Sequence, residues 1–184
     1  MTAQNWGTLA NELTKALGLQ HAPIAITFTN EAPAQVGRFE GEVPEPSADG
    51  RTGKVSAGCV FWIKGEDRTF ATVPSDHFNC SVGSVTHGLK KLEDVLGNED
   101  VQSMLECEWV TAAEAMALPV VKESHNYVLY GPLAAAPVDP DVVLLRINGF
   151  QAMVIHECLW RAGYCGQTAV PHHPHVKKSK TELP

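Results

Sequence analysis

At 184 residues and 19.9 kDa the chain fits one domain and can bury a sizeable core, so neither disulfide nor metal is needed merely to fold. A net charge of −7 and a pI near 5.6 leave no basic footprint for nucleic acid; the lysines Lys177, Lys178 and Lys180 form a small cluster near the end of the chain. The opening MTAQNWGTLANELTKAL lacks the basic start and apolar core of a signal peptide, and no apolar run approaches the ~20 residues that cross a bilayer, so a cytoplasmic protein without a membrane partner is expected.

In chain order, Trp6, Leu9, Leu13 and Leu17 recur at helical spacing and predict a helix over 5–17 that ends at Gly18. PIAITFT (23–29) reads as a buried strand. Residues 30–56 carry three prolines and little periodicity, and read as a long loop or flap. The segment 56–65 fits either a short helix or a strand, and TFATV (69–73) alternates as a strand. Val85, Leu89, Leu92 and Leu96 predict one helix over 81–97, followed by a second helix after Asn98 with Val101, Met104 and Leu105 inward. Thr111 and Glu114 form a capping box. NYVLYGPL and DVVLLRI read as strands, and 150–163 reads as a helix closed by Gly163. The expectation is one α+β (irregular α/β) domain over 1–170, a small mixed sheet flanked by helices, with a His/Lys-containing tail over 171–184.

The richest local pattern is DHFNCSVGS (76–84), between a predicted strand and a predicted helix. Cys80 falls at the helix N-terminus, where free amides and the helix dipole favour a thiolate, and His77 could add positive charge. Gly83 permits close approach of a ligand, and Ser84 and His87 complete the candidate ligand-binding positions. A buried structural thiol is the competing interpretation. Cys59 follows Gly58 in an apolar segment, and Cys165 follows a predicted helix end. Five cysteines, an odd number, in a reducing compartment read as free thiols or metal ligands before disulfides. No CxxC or CxxxxH pair occurs, so a metal site has to draw on distant segments. On the 150–163 helix, Cys158 falls with Val154 on the expected core stripe. Cys107 lies on a polar edge, and the tract His172, His173, His175 offers only weak metal affinity. Dinucleotide, Walker, HExxH and nucleophile-elbow motifs are absent from the sequence.

The order of motifs resembles the uncharacterised bacterial and archaeal family known as domain of unknown function 169. LGLQHAPIAITF (17–28), the Cys59 segment, HFNCSVGSVTHGL (77–89) and PDVVLLRINGFQAM (140–153) carry the resemblance. It strengthens Cys59 and Cys80 as functional positions and implies no particular reaction. The family as pictured extends further, with additional cysteine and glycine motifs that this chain would have to replace with Cys165.

The leading expectation is a redox or metal-cofactor protein. Cys59, Cys80 and Cys165, with His77, would hold an iron–sulfur cluster or another thiophilic centre, since soft thiolates select such metals. The alternatives are a metal-free small-molecule-binding domain with one reactive thiol, or a structural, partner-binding subunit. A small molecule or a redox partner is the expected associate.

Overall fold

The computed structural model describes residues 5–41 and 57–163. Among them the order is α1 (Trp6–Leu17), β1 (Ile24–Thr29), α2 (Ala57–Lys64), β2 (Phe70–Thr72), α3 (Ser81–Thr86), α4 (Glu99–Glu106), α5 (Ala112–Met116), β3 (Tyr127–Pro132), β4 (Val142–Leu144) and α6 (Gly149–Arg161). Short 3-10 turns lie at Pro74–His77, Leu92–Asp94 and Leu133–Ala135. The strands form one sheet in the order β2-β3-β1-β4, and each pairing is antiparallel. The class is α+β. The sheet is less mixed than expected: a single parallel bridge, Arg38 to Ala71, extends its β2 edge.

Period-two alternation along β1 and β3 separates two cores. On one face Ile24, Ile26, Val128, Tyr130 and Phe70 meet Phe61 of α2. On the other, Ala25 and Leu133 meet Ala10 of α1, with Trp6 and Leu13 at the margin. Each fully buried large side chain contributes roughly 1.5–3 kcal/mol, whereas an exposed ion pair such as Arg161–Glu157 contributes about 0–1. The sheet faces therefore dominate the stability. Helix α1 starts and stops as its sequence directs: the Asn5 side chain accepts the Thr8 amide at 3.0 Å, and Gly18 takes the left-handed C-cap.

Three expectations change. The helix foreseen over 81–97 stops at Thr86, and Leu92–Asp94 is a separate 3-10 turn. Gly88 sits at φ +70°, and the Leu89 and Lys90 amides fold back onto the Ser84 carbonyl. The apolar residues keep their inward direction nonetheless, since Val85, Val95 and Val101 form a satellite core with Leu92 and Leu96. Cys158, expected on a core stripe, is exposed, and α6 contains no buried residue. The helix is instead fixed by polar bonds: Gln151 Nε2 donates to the Leu17 carbonyl at 2.9 Å and to the Gly18 carbonyl at 3.2 Å. Finally, the loop expected from residue 30 is anchored at its near end. The Phe39 amide donates to Ala71 O at 2.8 Å, and the Phe39 ring packs on Phe61 and Phe70. Residues 42–56 lie outside the described part of the chain, as does the expected tail.

Candidate functional site: a buried histidine cluster beside Cys80

Cys80 is the N-cap residue of α3, with an extended backbone at φ −126° and ψ 103°. Its Sγ accepts the Gly83 amide at 3.2 Å. A Cβ on residue 83 would stand 3.0 Å from that sulfur, so glycine keeps the sulfur in its capping place. The Ser84 hydroxyl is engaged by the helix itself, bonding to Cys80 O at 2.7 Å and to Ser81 O at 3.1 Å.

His77 ends the turn after β2 and is 1% exposed. Its Nε2 lies 2.9 Å from the Thr72 hydroxyl, which in turn donates to Val128 O at 3.0 Å. The threonine proton is thereby spent, so Nε2–H of His77 must be the donor, and Nδ1 carries a lone pair. That Nδ1 is buried without a hydrogen-bond partner. Burial, then repulsion from His87 and His125, lowers the His77 pKa to about 3. His77 is accordingly neutral and adds no positive charge beside Cys80, contrary to the sequence expectation.

His87 closes the C-terminal end of α3. Its Nδ1–H donates to Gly83 O at 2.7 Å, which leaves Nε2 to accept the Tyr130 hydroxyl at 3.2 Å. Burial lowers its pKa, the bond to Gly83 O opposes that shift, and His125 adds to it. Tyr130 is fully buried, and both burial and the nearby Cys80 push its phenol far above the usual range. His125, in the loop before β3, donates Nδ1–H to Glu123 O at 3.1 Å, and its buried Nε2 has no partner. The rings form a continuous row: His77 lies 5.2 Å from His87, His87 5.5 Å from Phe28, and Phe28 4.9 Å from His125.

The structure thus places His77, Cys80, Gly83, Ser84 and His87 along the short helix α3 and its two ends, with Cys80 as N-cap and His87 as C-cap. Cys59 belongs to α2, and the Phe61 ring of that helix packs against His77, tilted by 60° with 4.9 Å between ring centroids. The Cys59 side chain and all of Cys165 lie outside the described residues, and so does the expected closeness of Cys59 to Cys80. Cys107 and Cys158 are exposed. Among the described residues no group of three or more His, Cys, Asp or Glu side chains is arranged to hold a metal ion. An open groove lined by Val85, Lys90, Lys91, Met116 and Lys122 shares no residue with the cluster.

Sequence reasoning passed over His125, Tyr130 and Thr72. Tyr130 was legible only as a strand residue, and Thr72 only as an alternating one. His125 stands in an irregular stretch where no spacing marks it. The available signal was a Tyr and a Thr on the buried face of their strands, since a buried hydroxyl needs a partner.

A family model described as uncharacterised ArCR, domain of unknown function 169, matches residues 12–162. Neither the curated proteins nor the solved structures contain a significant match. No helix among the described residues is long and apolar enough to cross a membrane.

Proposed function

Because the chain belongs to the uncharacterised family of domain of unknown function 169, it inherits no activity, and we propose from its own residues that it is a redox or metal-cofactor protein. Its centre is a thiophilic metal or an iron–sulfur cluster held by thiolates from distant segments: Cys80 at the start of α3, Cys59 on α2, and Cys165, with His77 beside them. The observation that carries this reading is the setting of Cys80. Its sulfur caps a helix and accepts an amide hydrogen bond, and the helix is flanked by His77 and His87, imidazoles that burial keeps neutral. Neutral imidazole and thiolate are the donor forms that borderline and soft metals require. The packing of α2 on His77 supports the inclusion of Cys59, because it brings the cysteine's own helix to the cluster.

We place the protein in the cytoplasm, where thiols stay reduced, with a small molecule or a redox protein as partner and no role for nucleic acid. The test is anaerobic purification of the full chain with metal, sulfide and absorbance measurements. Stoichiometric metal, lost in Cys80→Ser, supports the reading. A colourless, metal-free protein that takes up no iron, zinc or copper(I) on reconstitution overturns it, and favours a metal-free binding domain.

A further inference from the structure

We infer that the groove between the α3–α4 connection and the segment after α5 binds a small organic anion, a phosphate monoester with an apolar body, whose charged head is met by Lys90, Lys91 and Lys122. The groove shares no residue with the histidine cluster, so the inference stands apart from the metal-cofactor reading.

The groove has two walls. One runs from the end of α3 through the turn at Gly88 to the 3-10 turn Leu92–Asp94, and the other joins the end of α5 to residues 118–122. The Val121 amide donates to Thr86 O at 3.0 Å and ties the walls together. Gly88, at φ +70°, permits that closeness, since a Cβ there would stand 2.1 Å from Val121 O. Val85 and Ala115 line the groove as buried residues, whereas Met116 and Val120 stay 70% and 42% exposed. Its volume is about 970 Å³, at the upper end of the roughly 300–1,000 Å³ of small-molecule sites. Apolar side chains left exposed in a concavity give an apolar body surface to remove from water, which favours binding.

The charge of the groove sets the ligand's polar end. Of the five lysines among the described residues, three line this groove: Lys90, Lys91 and Lys122. The four ion pairs among the described residues engage Arg38, Arg146, Arg161 and His21, and none engages a lysine. In a chain of net charge −7, three ammoniums gathered without a described carboxylate partner concentrate positive potential where an anion is attracted. Lys90 Nζ stands 4.4 Å from the Phe78 ring centroid, a contact that steadies the ammonium without neutralising it. Two carboxylates share the groove. Asp94 Oδ2 accepts the Lys91 amide at 3.3 Å and is committed to the backbone, while Glu93 is exposed, so the lysines keep the groove net positive. Three cations exceed what a single carboxylate needs and suit the near-dianion of a phosphate monoester. A concavity of this size takes one molecule, so the ligand is a soluble phosphate monoester and not a bilayer surface.

The experiment titrates the full chain with octyl phosphate below its micelle concentration, by calorimetry and by amide proton–nitrogen spectra. Octyl glucoside supplies the tail without the charge, and inorganic phosphate the charge without the tail. The expected result is one-to-one binding of octyl phosphate about tenfold or more tighter than either control, weakening as salt is raised, with amide shifts along 88–94 and 115–122. Lys91→Gln combined with Lys122→Gln should weaken that binding by about tenfold, and Glu93→Gln should tighten it by about twofold. Lys15→Gln, on α1, should leave it unchanged. No saturable binding of octyl phosphate, or equal affinity for octyl glucoside, overturns the anion site. Equal affinity for inorganic phosphate overturns the apolar body. Binding to vesicles of phosphatidylcholine with phosphatidic acid, but not to monomeric octyl phosphate, overturns the soluble ligand in favour of a membrane surface. Should a variant fail to fold, the comparison of probes on the wild-type chain alone decides.

Discussion

The hydroxyl of Tyr130 donates to Nε2 of His87 at 3.2 Å across the inner face of the sheet, joining the central strand β3 to the end of the short helix α3. Because His87 Nδ1–H is held by Gly83 O, the direction of this bond is determined. Tyr130→Phe keeps the ring packing and strands the His87 lone pair. An unsatisfied buried acceptor costs about 1–3 kcal/mol. Urea unfolding should show a loss of that size with little change in slope, and an unaltered midpoint would contradict the bond.

The cluster also sets a pH dependence. His77 and His87 have folded pKa values below their unfolded value, His77 at about 3, so between that value and ~6.5 the unfolded chain binds more protons. Their contribution is complete above ~6.5 and is lost progressively as pH falls towards 3. The slope per proton is ~1.4 kcal/mol per pH unit, so the loss reaches a few kcal/mol before it levels off. Metal-free protein should lose stability between pH 6.5 and 5, above the range where carboxylates titrate. His77→Phe should flatten that slope. A flat wild-type profile over that window would refute the buried neutral imidazoles.

Much of the fold was legible because local chemistry and burial agree. Gly18 closes α1, Thr111 and Glu114 box α5, and Gly163 follows the end of α6, each as its sequence announces, while the Asn5 and Asn148 N-caps emerge only in the structure. The strands follow their β-branched runs. The 81–97 segment misled because its apolar spacing is helical while its backbone is not: Gly88 breaks the helix, yet Val85 and Leu92 still face one core. Cys158 misled because α6 is held by Gln151 and not by its apolar stripe, a polar docking that periodicity does not register. For the site, the sequence marked the helix start at Cys80 and the flanking histidines. It could not show that His77 is buried and neutral, nor that His125 joins it, because those facts depend on strand pairing across about fifty positions.

Gly88 offers a backbone test. A Cβ there would stand 2.1 Å from Val121 O, at φ +70°. The strain of that conformation alone is about 1–3 kcal/mol, and the clash adds to it. Gly88→Ala should cost more than ~2 kcal/mol in denaturant unfolding. Gly97→Ala, with no atom near its missing Cβ and an ordinary φ, should cost far less. Equal effects would show that 88 is not a constrained turn.

The docking of α6 yields another prediction. Gln151→Ala removes the bonds to the Leu17 and Gly18 carbonyls and half of the capping box with Asn148. Since α6 buries no side chain, little else holds it. Amide exchange across 149–161 should accelerate by about tenfold or more, corresponding to ~1.4 kcal/mol of local stability, while β1 and β3 remain protected. Unchanged exchange in α6 would mean its apolar face is covered.

The central claim, a metal held by the Cys80 sulfur beside neutral imidazoles, is read most directly by X-ray absorption at the edge of the metal that co-purifies or reconstitutes. The account predicts a sulfur shell near ~2.3 Å that shrinks in Cys80→Ser. A shell of oxygen and nitrogen alone, identical in wild type and Cys80→Ser, would contradict it.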